Sequence, residues 1–293
     1  MSNPTIAFIG LGHMGGPMAA NLAKAELNVR GFDVSDEARE KSESQGVSTF
    51  DTATEAAEGA DVVITMLPNG DLVKKVLGEL LETDSASKLF IDSSTISVQD
   101  AREVGELVAD HGSQFIDAPV SGGTSGAEAG TLAFMVGGTE EAFNQAREVL
   151  DVMGRSITHC GQAGNGQAVK ACNNMILAVQ QMVLSEAIVL GERLGLEHQA
   201  FFDVVSNATG NSWSLSVNAP IPDVVPTSPA NNDFQPGFSA GLMLKDLRLA
   251  MESAEATGTD TVLGKIAAQT YEEFVAAGNG ALDFSAVINE VRR

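Results

Sequence analysis

The sequence predicts an α/β protein whose first half is a doubly wound, largely parallel Rossmann-type sheet and whose second half is all-α, the two joined by a long helix. Three observations predict it. Apolar β-like runs alternate with amphipathic helical patterns, a glycine-rich loop follows the first of those runs, and no convincing strand appears after residue 164. At 293 residues the chain exceeds the usual single-domain size, so two domains are expected, 1–163 and 164–293.

The runs TIAFIG, NVRGF, DVVITML, KLFIDSST, SQFIDAPV, LAFMVGG and SITHC read as strands. Between them, DEAREKSESQ, GDLVKKVLGELL, QDAREVGELVADH and TEEAFNQAREVLDVM place apolar residues at three- and four-residue steps, the period of helices with one buried face. After GQAGNGQ the pattern changes. Residues 168–195 contain no turn signal, and as a helix they would run roughly 40 Å, long enough to bridge two domains. HQAFFDVVSNA, GLMLKDLRLAMESAEATG and TVLGKIAAQTYEEFVAAG then repeat the helical period. One long irregular segment, 211–238, is rich in proline and holds the only Trp; loops of that length are usually functional, so specificity residues are expected there.

A formal charge of −22 argues against nucleic acid or an anionic membrane as partner, because both require clustered Lys and Arg. The acidic excess is spread along the chain, as on salt-adapted surfaces and on many ordinary acidic proteins. The start of the chain has no basic segment ahead of an apolar one, so a cytoplasmic protein is expected. The most apolar later stretch, 175–190, is interrupted by Gln180, Gln181, Ser185 and Glu186 and reads as too polar and too short to span a membrane. Cys160 and Cys172 lack metal or disulfide spacing and are expected to be small core residues; no metal site is expected.

The loop GLGHMG sets Gly10, Gly12 and Gly15 directly after the strand TIAFI and before a helix. In that context Gly10 permits the tight turn, Gly12 lets backbone approach a pyrophosphate, and Gly15 allows close helix packing, while the helix N-terminus offers amide donors. Leu11, His13 and Met14 complete the cradle. Asp33 ends the next strand, 23 residues after Gly10, where a carboxylate accepts hydrogen bonds from ribose hydroxyls. It would repel a 2′-phosphate, and Val34-Ser35-Asp36 follow in place of an Arg pair, so NAD is the expected cofactor.

DAPVSGGTSGAEAG runs from a predicted strand into a glycine-rich turn, offering the Ser121 hydroxyl and the amides of Gly122 and Gly123 to a carboxylate. GNGQAVKACNN puts Lys170 and Asn174 four apart, on one face near the start of the long helix, where one substrate could meet both. The apolar neighbours Ala168, Val169, Ala171 and Cys172 argue that this face is not solvated. Burial and nearby positive charge would favour the neutral lysine, fitting it for proton exchange near neutrality. Asn173 is expected to bond nearby backbone. Lys245, beside Asp246, is a second lysine within a motif, out of eight in the chain. His111, His159 and His198 fall at surface or strand-end positions with no partner evident.

Taken in order, GLGHMG, DAPVSGGTSGAEAG, GNGQAVKACNN and LMLKDLRLA resemble the β-hydroxyacid dehydrogenase family across nearly the whole chain. NSWSLSVNAPIP, SPANNDFQPGF and DFSAV are similar to the members acting on 3-hydroxyisobutyrate, more than to tartronate or succinic semialdehyde reductases. The resemblance implies NAD-linked oxidation of 3-hydroxyisobutyrate to methylmalonate semialdehyde in valine breakdown, and a helical domain wrapped by a partner in a homodimer or homotetramer. It implies Lys170 as general acid/base, Ser121, Gly122 and Gly123 as the grip on the substrate carboxylate, and Asn174 as the residue orienting the hydroxyl. It also implies that Lys245 lies near the cofactor and that Met14, Leu67, Pro68 and Thr95 line it. Leu72 departs from the polar residue common at its position. Phe234 and Phe238, by residue type, are candidates for an apolar wall beside the substrate methyl. Two alternatives stand beside this reading: an NADPH-dependent semialdehyde reductase, against which Asp33 speaks, and a catalytically inactive nucleotide-binding module, against which the retained Lys170 speaks.

Overall fold

The computed structural model describes residues 4–83 and 87–293; the first three residues of the expected amino-terminal domain lie outside the described residues. The chain divides into two compact units, Met1–Lys170 and Ala171–Arg293.

In the first unit nine strands form one sheet: β1 (Thr5–Ile9), β2 (Asn28–Phe32), β3 (Ser48–Thr49), β4 (Val62–Thr65), β5 (Leu89–Asp92), β6 (Gln114–Asp117), β7 (Val120–Ser121), β8 (Leu132–Gly138) and β9 (Gly154–Gly161). Their order is β3-β2-β1-β4-β5-β6-β8-β7, with β9 beside β8. All pairs from β3 to β6 are parallel, as is β8 with β9, while β8 runs antiparallel to β6 and β7. Seven of these strands are the predicted runs. The other two, β3 and β7, are two residues long, too short for alternation to reveal.

The central strands β1 and β4 are apolar almost without interruption because helices cover both faces of the sheet. The helices are α1 (Gly15–Lys24), α2 (Asp36–Glu43), α3 (Ala53–Ala57), α4 (Gly70–Thr83), α5 (Val98–Asp110), α6 (Gly123–Ala129) and α7 (Glu140–Met153). Ile6 and Phe8 of β1 pack with Met18 and Leu22 of α1 and Leu150 and Met153 of α7, while Ala7 and Ile9 face Leu77 and Leu80 of α4 and Val104 and Val108 of α5. Each such large side chain contributes roughly 1.5–3 kcal/mol by leaving water. One consequence of the register positions the site. Phe32, Ile9, Thr65, Asp92 and Asp117, the last residues of five parallel strands, form a single row across the sheet. The loops that leave this row therefore emerge along one edge, the carboxyl-end edge where open α/β sheets bind ligands.

Helix α8 (Asn165–Arg193) starts in the first unit and continues through the second, which is otherwise built from α9 (His198–Val205), α10 (Trp213–Ser216), α11 (Ala240–Ala256), α12 (Val262–Phe274) and α13 (Ile288–Arg292) with short 3-10 turns. No strand occurs among the described residues of this unit, as predicted. Its core has two clusters. In one, Met243, Leu244 and Leu247 of α11 meet Tyr271 and Phe274 of α12 and Phe284, and the buried Tyr271 hydroxyl donates to the Phe284 carbonyl at 3.0 Å. In the other, Leu184 and Ile188 of α8 meet Leu215, Ile221 and Ile288. The proline-rich segment is thus packed structure, with Ser228 Oγ donating to the Ala219 carbonyl and Asn231 Nδ2 donating to the Val225 carbonyl at 2.9 Å.

Helix α8 corrects the argument from shortness. At 29 residues, with mean hydropathy 1.4 in its most apolar window, it is long and apolar enough to cross a bilayer by length and composition. Its buried positions nevertheless include Gln181 and Ser185, and Leu184, Ile188 and Val189 belong to the second core cluster, the pattern of a helix serving a globular core.

Candidate active site

Five loops leave the row of strand ends in the first unit, and they carry most of the predicted site residues. After β1 comes 10–14. Here Gly10 has φ +98°, and a Cβ on Gly15 would lie 1.9 Å from the Gly10 carbonyl oxygen, so only glycine lets α1 start this close to the strand. Gly12 is different: it is exposed, and a Cβ there would meet nothing within 4 Å. Its backbone is therefore open to close approach by another group. Met14, at the N-cap of α1, gives no side-chain cap; the Gly16 amide bonds the Gly12 carbonyl at 3.0 Å and Pro17 has no N–H, so the helix start would meet an external anion with the Gly15 amide and the positive end of its dipole. Leu11 is buried, and His13 is exposed.

Asp33, just past β2, accepts from the Leu11 amide at 2.7 Å through one oxygen and from the Ser35 amide at 2.8 Å through the other. It thereby ties the glycine loop to the neighbouring strand end while staying only partly buried. The N-cap of α2 is Ser35, so Asp33 is not spent on capping. Arg39 donates to the Asp33 carbonyl at 2.6 Å and pairs with Asp36 at 2.6 Å. A six-residue offset across a helix start gives no sequence signal for that contact.

Beyond β4, the half-buried Leu67 donates its amide to the Ser94 hydroxyl oxygen at 2.8 Å, and Pro68 is exposed. Leu72 is 39 % exposed, and its amide bonds Asn69 Oδ1 at 3.0 Å. Thr95 is half-buried in the loop after β5. Directly beneath sits Asp92, fully buried, accepting from Thr65 Oγ1 at 2.7 Å with one oxygen. Burial outweighs its hydrogen bonds to Ser94 and Thr65 and pushes its carboxyl up to about 6.

The fifth loop follows β6. Ser121 is half-buried at the end of β7; Gly122 (φ +133°) and Gly123 (φ +63°) both adopt conformations that L side chains avoid, and α6 begins there in place of the open turn read from sequence. Lys170 is 7 % exposed, and its Nζ donates to the carbonyl of Val120 at 2.8 Å, one residue before Ser121. The structure therefore brings the lysine and the serine-glycine turn together within one unit. The reason given from sequence for its burial does not hold, since Val169 is 42 % exposed and Cys172 is exposed. Lys170 is buried all the same, with its Nζ on the β7 carbonyl of Val120.

In the second unit, Asn174 is 2 % exposed and donates to Asp246 Oδ2, also buried. Asp246 stands beside Lys245, which is half-buried, and an isolated acidic residue in a helix gives no sign of the partner it meets 72 positions away. Asn173 bonds the Asn174 amide oxygen at 3.0 Å, not the backbone. Phe234 and Phe238 are half-buried, and the Phe238 ring stands edge-on to Phe284 at 5.8 Å. Two smaller expectations are also corrected. Cys172 is no core residue, and His198 has a partner in Glu192 at 2.8 Å, which Arg292 also holds. Among the described residues no cluster of His, Cys, Asp or Glu could hold a metal.

Residues 5–161 match the family described as the NAD binding domain of 6-phosphogluconate dehydrogenase, and residues 164–291 the family described as NAD-binding of NADP-dependent 3-hydroxyisobutyrate dehydrogenase. A relative in Mycobacterium tuberculosis, named "Probable 3-hydroxyisobutyrate dehydrogenase", is 56 % identical over 288 residues, covering 98 % of both chains. The chain belongs to the 3-hydroxyisobutyrate dehydrogenase family. A solved structure of Mycobacterium tuberculosis 3-hydroxyisobutyrate dehydrogenase with L-serine superposes with TM-score 0.96 at 55 % identity, covering all of both chains. A further member, the NAD-dependent L-serine dehydrogenase of Pseudomonas aeruginosa, is 42 % identical, covering 96 % of both chains. Family membership makes this an NAD-linked oxidoreductase of small hydroxy acids, as the glycine loop and Asp33 predict, and the open space at Gly12 fits a dinucleotide phosphate.

Proposed function

We propose that this enzyme oxidises 3-hydroxyisobutyrate to methylmalonate semialdehyde in valine breakdown, with Lys170 as the proton-transfer residue. The observation that carries the reading is the Nζ of a buried lysine bonded to the carbonyl next to Ser121. Ser121, Gly122 and Gly123 take the substrate carboxylate through one hydroxyl and two amides. With the acid so anchored, Lys170 accepts the proton of the β-hydroxyl as the carbon is oxidised, and Asn174, held by Asp246, orients that hydroxyl. NAD, when bound, supplies the hydride acceptor. Gly10, Leu11, Gly12, His13, Met14 and Gly15 cradle its pyrophosphate, Asp33 its ribose, and Leu67, Pro68, Thr95 and Lys245 the remainder. The low exposure of Lys170 keeps bulk water from competing for the proton.

Replacing Lys170 by Ala tests this. Turnover should fall by roughly 10²- to 10⁴-fold, the usual share of a general acid/base, with NAD affinity unchanged. Near-normal turnover refutes the assignment.

L-serine is a second substrate to be measured, because two of the relatives above carry it in their names and it has the same carboxylate and β-hydroxyl. It differs in bearing an ammonium group where 3-hydroxyisobutyrate has a methyl. Phe234 and Phe238, if they wall that group, favour the methyl, and comparing kcat/KM for the two acids decides between them.

We place the enzyme in the cytoplasm, as a homodimer or homotetramer. Supporting assembly, Ile176, Val183 and Leu190 of α8, seven residues apart and each more than half exposed, form an apolar stripe, and Val262, Leu263 and Ile266 of α12 are as exposed.

A further inference from the structure

The residues GNGQ ahead of Lys170 have no part in the reading above, yet they lie in a dense buried polar network of the first unit. Asp117, the fully buried last residue of β6, accepts from the Gly164 amide at 2.7 Å with Oδ1 and from the Gln167 amide at 2.9 Å with Oδ2, holding the first turn of α8. The fit is close, for a Cβ on Gly166 would lie 2.7 Å from Asp117 Oδ2 and one on Gly137 2.3 Å from Oδ1. Gln167, 2 % exposed, turns its carboxamide the other way: Nε2 donates to the Ser94 carbonyl at 2.8 Å, and Oε1 accepts from the Ile96 amide at 3.2 Å. Its two bonds thus straddle Thr95. Ser94 in turn donates its amide to Asp92 Oδ1, and its hydroxyl oxygen accepts from the Leu67 amide.

We propose that Asp117 and Gln167 are positioning residues that set the start of α8, and with it Lys170, in register with the Thr95 loop. Lys170 follows Gln167 by three residues, about one helical turn, and bonds the carbonyl of Val120, three residues after Asp117. Three points of attachment therefore hold the lysine on its strand exits: the Asp117 carboxylate, the Gln167 carboxamide and the lysine's own bond. The physical case is that a general base works only within hydrogen-bond reach of its proton, and side chains gain that precision from satisfied buried networks. The proposal rests on Lys170 as the proton-transfer residue.

The test uses Gln167→Met, which keeps the volume and loses both side-chain bonds, and Asp117→Asn, which sets an amide group against two N–H donors. Each should lower kcat by roughly 10- to 100-fold, the cost of an ångström-scale misplacement, with KM for the hydroxy acid and Kd for NAD changing by less than about threefold. Thr139→Ala, which removes the N-cap of α7, serves as a control that lowers Tm without lowering kcat. In a Lys170→Ala background, Gln167→Met should leave the residual turnover unchanged, because there is no lysine left to position. An unchanged kcat in Gln167→Met, or an equal further loss in the Lys170→Ala background, overturns the proposal alone. Full activity in Lys170→Ala overturns the underlying reading and the proposal with it. If Asp117→Asn does not fold, Gln167→Met and Gln167→Glu decide.

Discussion

Two glycines three residues apart should fail in opposite ways when given a methyl group. At Gly15 the added Cβ sits 1.9 Å from the Gly10 carbonyl oxygen and 3.0 Å from the Phe8 ring, whereas ordinary contact begins at 3.4 Å. Strand end and helix start must move apart by about 1.5 Å, an overpacking expected to cost roughly 1–3 kcal/mol. At about 2–4 °C per kcal/mol for a unit of this size, Tm falls by roughly 2–12 °C. At Gly12 the methyl meets no protein atom, so Tm should hold within about 2 °C. It occupies instead the space through which a phosphate reaches the backbone. Losing one hydrogen bond to a charged group there costs roughly 1.5–3 kcal/mol, equivalent to an approximately 10- to 150-fold weaker Kd for NAD. Thermal unfolding by circular dichroism and NAD binding by calorimetry separate the two effects. If Gly12→Ala binds NAD as tightly as the unmodified protein, or melts as early as Gly15→Ala, the cradle has been placed wrongly.

Asp92 predicts a pH-dependent stability. Its carboxyl is raised from an ordinary 3.8 to about 6, so the folded chain holds that proton more tightly than the unfolded one. The associated stability is fully present below pH 4 and is lost as pH rises through 6; two pH units amount to about 3 kcal/mol. Asp92→Asn, which cannot ionise, should therefore melt higher relative to the unmodified protein at pH 8 than at pH 4, and a difference independent of pH would count against the buried ionisation. The α8 stripe predicts that Val183→Asp lowers the sedimentation mass, since a carboxylate among apolar contacts is costly; an unchanged mass removes that stripe from the assembly surface.

Much of the fold is legible in the chain because its causes are local. Period-two and period-3.6 patterns are imposed by burial on each element, so the seven longer strands and the long α8 show themselves, and GLGHMG is a contiguous loop whose glycines answer to short-range geometry. Asp33 is legible for the same reason, as a residue at the end of a recognisable strand. The sequence also marks Lys170 and Ser121 as candidates through two separate motifs.

What brings those two motifs together is tertiary. The contact of Lys170 with the Val120 carbonyl spans 50 positions, that of Gln167 with Ser94 spans 73, and that of Asn174 with Asp246 spans 72. No periodicity encodes such pairs, because each depends on how strands order within a sheet or helices pack in a bundle. The two outward-facing neighbours of Lys170, Val169 and Cys172, make the point from the other side: they are exposed while the lysine between them is buried, its Nζ on a strand carbonyl 50 residues earlier. Residue type and spacing determined which fold and which class of chemistry this chain could have. The cross-sheet row that aligns Ile9, Thr65, Asp92 and Asp117 decided where the loops carrying that chemistry emerge, because parallel strands in register must end together along one edge.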